Sequence, residues 1–124
     1  MGNARILIIE EERVISEYLC DSIQQRGYEV IGTAKSIAEA VERFHTARPD
    51  LIIVDAQLAG YAEMAQDSRT IREQFHCKIP VIFLTTSSSI PSRTQESEIF
   101  LRKPFSEREL HAAIERGLST FYAS

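Results

Sequence analysis

Apolar residues in this chain follow two rhythms. Four short runs, Arg5-Ile6-Leu7-Ile8-Ile9, Asp50-Leu51-Ile52-Ile53-Val54-Asp55, Val81-Ile82-Phe83-Leu84 and the weaker Ile99-Phe100-Leu101, are dominated by aliphatic residues. Continuous apolar runs of this length, rich in β-branched residues, read as strands buried on both faces, the habit of a parallel sheet. Tyr28 to Thr33 reads as a further strand, second in chain order. Between the runs, apolar residues recur at helical spacing. Val14, Ile15, Tyr18, Leu19 and Ile23 mark a first helix that Gly27 closes. Ile37, Ala40, Val41 and Phe44 mark a second, opened by the capping box Ser36-Ile37-Ala38-Glu39. Met64 to Phe75 is a third, with Met64, Ser68, Ile71 and Phe75 inward. A second capping box, Ser106-Glu107-Arg108-Glu109, opens a terminal helix with Leu110, Ala113, Ile114 and Leu118 inward, ending near Phe121.

Thr85 to Glu98 departs from both rhythms. Thr85-Thr86-Ser87-Ser88-Ser89-Ile90-Pro91-Ser92 is hydroxyl-rich and interrupted by proline. Hydroxyl side chains compete for backbone hydrogen bonds and proline cannot sit in a helix interior, so a helix here is expected to be short or irregular. The order is otherwise five strand–helix units without repeat or linker. That alternation predicts an α/β fold, a doubly wound five-stranded parallel sheet, in one domain over residues 1–124.

Bulk properties narrow the function. A chain of 124 residues with 44% hydrophobic and 26% charged residues has the make-up of a soluble globular domain. Its net charge of −4 argues against a surface dedicated to nucleic acid. No run is long enough to span a bilayer, and Met1 to Arg5 leads straight into a strand without a signal peptide. Cys20 and Cys77 lack metal or redox spacing and read as reduced cytosolic thiols, Cys20 as a small packing residue of the first helix. His45, His76 and His111 are scattered and read as surface residues.

The candidate chemistry sits at strand ends. Glu10-Glu11-Glu12 follows the first strand, Asp55 ends the third, Thr85-Thr86 follows the fourth and Arg102-Lys103-Pro104 the fifth. Each alone has a plain reading: a cap or turn for Asp55, first-turn acids for the glutamates, a solvated hydroxyl for Thr85, a surface turn for Lys103. Parallel strands would bring all four to one edge, where open α/β sheets place their ligand crevice.

On Glu10-Glu11, Asp55, Thr85 and Lys103-Pro104-Phe105, and on the stretch FLRKPFSEREL, the chain resembles the receiver domain of two-component response regulators over essentially its whole length. The resemblance implies a flavodoxin-like (βα)5 fold with strand order 2-1-3-4-5. It implies that Asp55 accepts a phosphoryl group from a histidine kinase or phosphotransfer protein; a carboxylate is already ionised at neutral pH and needs no base to activate it. Lys103 would neutralise the transferred group, and Thr85 would bond it and draw its loop inward. Phe100 would be the switch aromatic. Mg²⁺ would be held by Glu10, Glu11, Asp55 and the backbone carbonyl of Gln57. Lys103-Pro104 would be a cis peptide. Output would pass to a protein partner, or to a homodimer, through the face of the fourth helix, fifth strand and terminal helix. The domain would be cytoplasmic, bind neither nucleic acid nor membrane, and have no enzyme activity beyond self-phosphorylation and self-dephosphorylation.

The sequence also departs from the family. The second acid is Glu11 where aspartate is usual, which carries its carboxylate one methylene further out, and Mg²⁺ tolerates little misfit around bonds of about 2.1 Å. Ala59 and Met64 stand where loop-stiffening residues and glycine are frequent. Thr85 to Lys103 is shorter than usual, and Phe100 lacks a hydroxyl. These changes motivate an alternative, a degenerate receiver acting as a phosphorylation-independent binding module. A hydrolase with an aspartyl nucleophile is disfavoured because Gln57, two residues after Asp55, cannot shuttle a proton. A dinucleotide or flavin module is disfavoured because Glu10-Glu11-Glu12 would repel phosphate.

Overall fold

The aliphatic runs assemble into one parallel sheet whose two faces are both covered. The structure, a computed structural model, describes residues 3–55, 61–75, 78–85 and 98–123. The elements are β1 (Arg5–Ile9), α1 (Arg13–Gln25), β2 (Glu29–Ala34), α2 (Ile37–Phe44), β3 (Leu51–Asp55), α3 (Tyr61–Gln74), β4 (Val81–Thr85), β5 (Glu98–Arg102) and α4 (Glu107–Ala123). The strands run parallel in the order β2-β1-β3-β4-β5. This is the doubly wound, flavodoxin-like arrangement expected. Residues 86–97, where a short or irregular helix is expected, lie outside the described residues.

Side-chain alternation divides the core in two. Ile6 and Ile8, Leu51 and Ile53, Ile82 and Leu84, and Ile99 and Leu101 meet Leu19 and Ile23 of α1 and Leu110, Ala113 and Ile114 of α4. Leu7 and Ile9, Ile52 and Val54, and Val81 and Phe83 meet Ala40 of α2 and Ile71 of α3. Each such side chain, when fully buried, contributes roughly 1.5–3 kcal/mol, which fixes the strand faces long before any polar contact matters.

Local chemistry sets the element ends. Ser36 Oγ accepts the Glu39 N–H and Glu39 Oε1 accepts the Lys35 N–H. Ser106 and Glu109 bond reciprocally at the start of α4, as a capping box does. Gly27 ends α1 at φ +92°, a conformation that a Cβ disfavours. Gly32 has a different reason: β1 and β2 slip register between Ile6 and Leu7, and a Cβ on Gly32 would come within 2.3 Å of the Phe44 ring.

Three expectations, on β2, α3 and His111, need correction. β2 runs one residue later than read, and α3 begins at Tyr61 rather than Met64. Val14 is 79% exposed and Tyr18 43%, because the inner stripe of α1 runs through Ile15, Leu19, Ser22 and Ile23. Residues adjacent to that stripe sit about 100° round the helix. Finally, His111 is buried rather than on the surface. His45 is exposed as read.

Candidate functional site

The strand order places the carboxyl ends of β1, β3, β4 and β5 side by side, and the register does the rest. Ile9 pairs with Val54, so Glu10 and Asp55 leave adjacent strands at the same level. Asp55 pairs with Leu84, and Thr85 pairs with Arg102, the residue before Lys103. The Lys103 N–H donates to the Thr85 carbonyl (2.8 Å), continuing the ladder one step beyond β5, and the Lys103–Pro104 bond is cis, as expected. The Lys103 ammonium then lies 2.6 Å from Asp55 Oδ1, with the Asp55 side chain only 3% exposed.

Glu10 is the second carboxylate of the site and is also buried. The Glu12 N–H donates to its Oε2 (2.9 Å). Burial pushes the Glu10 carboxyl up to about 7; the Glu12 N–H opposes this, hydrogen bonding and the charge of Asp55 add to it, and Lys103 pulls it back. Two crowded carboxylates thus face one ammonium. With both acids ionised, Glu10 Oε1 and Asp55 Oδ2 are buried and, among the described residues, receive no hydrogen-bond donor. Buried carboxylate oxygens left without donors are costly, and they are the hard ligands a divalent cation takes. The pair fits a cation of the Mg²⁺ kind, which keeps several waters and needs only one or two carboxylates.

The other predicted residues divide. Thr85 is buried at the end of β4, next to the Asp55 strand. Phe100 is half-buried on the α3 side of the sheet, where its ring stacks on Phe83 at 5.4 Å between centroids. Glu11 is exposed, and among the described residues no group of three or more acidic, histidine or cysteine side chains converges on a cation position. Gln57 lies outside the described residues. Cys20 packs against the core, and burial, with Asp21 and Glu17 nearby, pushes its thiol up, away from reactivity.

Beside the site lie features the sequence reading missed. Val14, Ile15, Tyr18, Lys103, Pro104 and Phe105 line an open, largely apolar groove of about 630 Å³. The off-stripe positions of Val14 and Tyr18 were the available signal. Away from the site, buried Ser22 Oγ and His111 Nε2 share a hydrogen bond (3.1 Å) that ties α1 to α4. Buried Ser68 and Glu98 and half-buried Arg72 form a second polar cluster, tying α3 to β5. Spacing along the chain gives no warning of either, since each joins residues from distant segments.

The comparisons agree with this architecture. Residues 6–115 match the response regulator receiver domain. The phosphate regulon transcriptional regulatory protein PhoB of Escherichia coli K12 is 32% identical over 114 residues, covering 89% of this chain and 49% of PhoB. The chain spans about half the length of the curated relatives it matches, such as PhoB. Among solved structures, the Vibrio cholerae chemotaxis protein CheY4 superposes with a TM-score of 0.77 at 27% identity, covering 94% of this chain and all of CheY4 (100%). The anti-anti-sigma factor PhyR from Bartonella quintana superposes with a TM-score of 0.76 at 28% identity, covering 95% of this chain and 48% of PhyR. A receiver match over most of the chain, on a sheet of the same strand order with an aspartate, a lysine and a buried acid at its carboxyl edge, places this chain in the response regulator receiver domain family.

Proposed function

We propose that this receiver domain is a phosphoacceptor, taking a phosphoryl group onto Asp55 from a histidine kinase or phosphotransfer protein and passing the signal to a protein partner. The observation that carries the reading is the 2.6 Å contact between the Lys103 ammonium and the buried Asp55 carboxylate. Lys103 engages Oδ1, which leaves Oδ2 as the oxygen without a partner among the described residues. Oδ2 is the atom to attack phosphorus, the donor imidazole leaving on the opposite side. Lys103 then stays beside the new acyl phosphate and neutralises a phosphoryl oxygen. Glu10, Glu11, Asp55 and the Gln57 carbonyl would hold Mg²⁺, which when bound neutralises charge on the transferring phosphoryl group. The Thr85 hydroxyl would bond a phosphoryl oxygen, and Phe100 would move with that loop. The apolar groove beside Lys103 is the surface for the phosphodonor protein: Val14 and Tyr18 offer exposed apolar contact within reach of the site. Residues 1–124 would act as one receiver unit in the cytoplasm, with no helix among those described long and apolar enough to cross a membrane.

One observation favours a second reading. Glu11 is exposed, and among the described residues Glu10 and Asp55 alone make a sparse cation site. A receiver that binds Mg²⁺ poorly would act as a phosphorylation-independent binding module. The similarity to PhyR, described as an anti-anti-sigma factor, supports a protein as the partner under either reading.

A Mg²⁺ titration combined with acetyl phosphate labelling separates the two. Saturable Mg²⁺ binding together with a cation-dependent adduct of one phosphoryl group supports the phosphoacceptor. Absence of both, with a known receiver labelled in parallel, would leave the binding module.

A further inference from the structure

We propose that the two acids after β1 have different roles: Glu10 ligates the divalent cation directly beside Asp55, while Glu11 acts on that cation only through water and through its charge. Strand alternation separates the two. Ile6 and Ile8 face α1 and α4, as do Leu51 and Ile53. The Glu10 N–H donates to the Ala34 carbonyl (2.8 Å), so the sheet ladder runs on through Glu10. Glu10 therefore continues the row of Ile6 and Ile8, and Asp55 the row of Leu51 and Ile53, on one face of the sheet. Because Ile9 pairs with Val54, the two carboxylates leave adjacent strands at the same level. The chain bends at Glu11 and turns into α1, and Glu11 is left exposed.

The contacts agree with this division. Glu10 and the Asp55 side chain are each only 3% exposed. The Glu12 N–H holds Glu10 Oε2 (2.9 Å), and the Lys103 ammonium holds Asp55 Oδ1 (2.6 Å). With both acids ionised, the other oxygen of each, Glu10 Oε1 and Asp55 Oδ2, is buried and receives no donor among the described residues. Two anionic oxygens from neighbouring strands, each steadied through its sister oxygen, suit a hard cation; Mg²⁺ needs one or two carboxylates and keeps water in its other positions. Glu11 lines a different space, a cleft of about 440 Å³ shared with Ser16, Thr33 and Lys35, which Glu10 also borders but Asp55 and Lys103 do not. Among the described residues no third acid, histidine or cysteine joins Glu10 and Asp55 around a cation position. The extra methylene of Glu11 then puts no misfit into the coordination of Mg²⁺, because its carboxylate takes no place in it. The departure from the family at this position is thus no obstacle to a cation, and the residue on which the cation depends is Glu10.

The inference rests on the phosphoacceptor reading only for the use made of the cation; binding itself is measured without phosphate. The test is a Mg²⁺ titration of the parent, Glu11→Gln, Glu11→Asp and Glu10→Gln, followed by the backbone amide resonances of Asp55 and Lys103 at constant pH and ionic strength. Water and salt screen an exposed charge that does not touch the ion, so Glu11→Gln should raise the Mg²⁺ Kd by only about twofold. Glu11→Asp keeps that charge and should stay within about twofold of the parent. Glu10→Gln removes a charge in contact with the ion and should raise the Kd by more than about tenfold, with the fold retained by circular dichroism. A Glu11→Asp variant that binds Mg²⁺ tighter than this range allows would overturn the inference, since it would show a Glu11 carboxylate one methylene too long at the ion. So would a Glu11→Gln variant as weak as Glu10→Gln, or a parent without saturable binding. A parent that binds Mg²⁺ in the expected pattern yet takes no phosphate from acetyl phosphate would defeat the phosphoacceptor reading and uphold the division between the acids. A labelled parent whose Mg²⁺ affinity depends on Glu11 as strongly as on Glu10 would do the reverse.

Discussion

Replacing Glu10 by glutamine should stabilise the metal-free protein, and by an amount that depends on pH. The Glu10 carboxyl stands at about 7 in the folded chain against 4.5 for an unperturbed glutamate. The folded state therefore holds this proton more tightly than the unfolded state does. Its contribution to stability is fully present below about pH 4.5 and is lost as pH rises through about 7. At roughly 1.4 kcal/mol per pH unit of difference, the whole window is worth about 3 kcal/mol. A glutamine at this position mimics the protonated acid at every pH: its carbonyl can accept the Glu12 N–H and its amide can face Asp55. Glu10→Gln should thus match the parent near pH 5 and exceed it by up to about 3 kcal/mol at pH 8, a Tm gain on the order of 10 °C for a domain of this size. The assay is thermal melting by circular dichroism from pH 5 to 8 with chelator present. The difference between variant and parent cancels other titrations to first order, since distant sites contribute nearly additively. A Tm offset that does not change with pH, or a variant less stable than the parent at pH 8, would refute the claim that Glu10 is held protonated by burial and by Asp55.

Three further outcomes follow from particular contacts. Lys103→Ala leaves two buried carboxylates without their ammonium; a loss of about 2–3 kcal/mol in denaturant unfolding is expected at pH 8, close to the range for breaking a buried pair, and an unchanged midpoint would make Lys103 a mere turn residue. Gly32→Ala forces a Cβ into the Phe44 ring and should destabilise by about 1–3 kcal/mol in urea unfolding, and it should cost much less when introduced into a Phe44→Ala background than into the parent. Val14→Glu should slow phosphoryl transfer from a phosphodonor protein while leaving labelling by acetyl phosphate unchanged; equal loss with both donors would place the effect in the site rather than in docking.

Most of the architecture is legible because aliphatic burial governs it. Ile6 to Ile9, Leu51 to Val54 and Val81 to Leu84 are too uniformly apolar to be anything but strands buried on both faces, and the two serine capping boxes mark helix starts by local chemistry alone. Asp55, Lys103, Thr85 and Glu10 are legible as a set because parallel strands of known order bring their ends together. The failures share a cause. Val14 and Tyr18 share the helical spacing of the α1 core residues yet lie outside the core, because hydrophobicity does not say which of two adjacent helical stripes faces the sheet. His111 reads as a surface residue because its partner, Ser22, lies 89 residues away in the chain. Arg72 and Glu98 escape notice for the same reason: an ion pair between a helix and a strand leaves no periodicity in either. Glu11 shows a subtler limit. Its adjacency to Glu10 makes a pair in sequence, but the chain turns into α1 there, and only Glu10 remains buried beside Asp55.

The most direct test of the central claim compares the parent with Asp55→Asn after incubation with acetyl phosphate and Mg²⁺, by intact-mass spectrometry. The account predicts one phosphoryl adduct on the parent, requiring Mg²⁺, and none on the variant, which should keep its fold by circular dichroism. An adduct of equal yield on Asp55→Asn would contradict it, because the acceptor would then lie elsewhere.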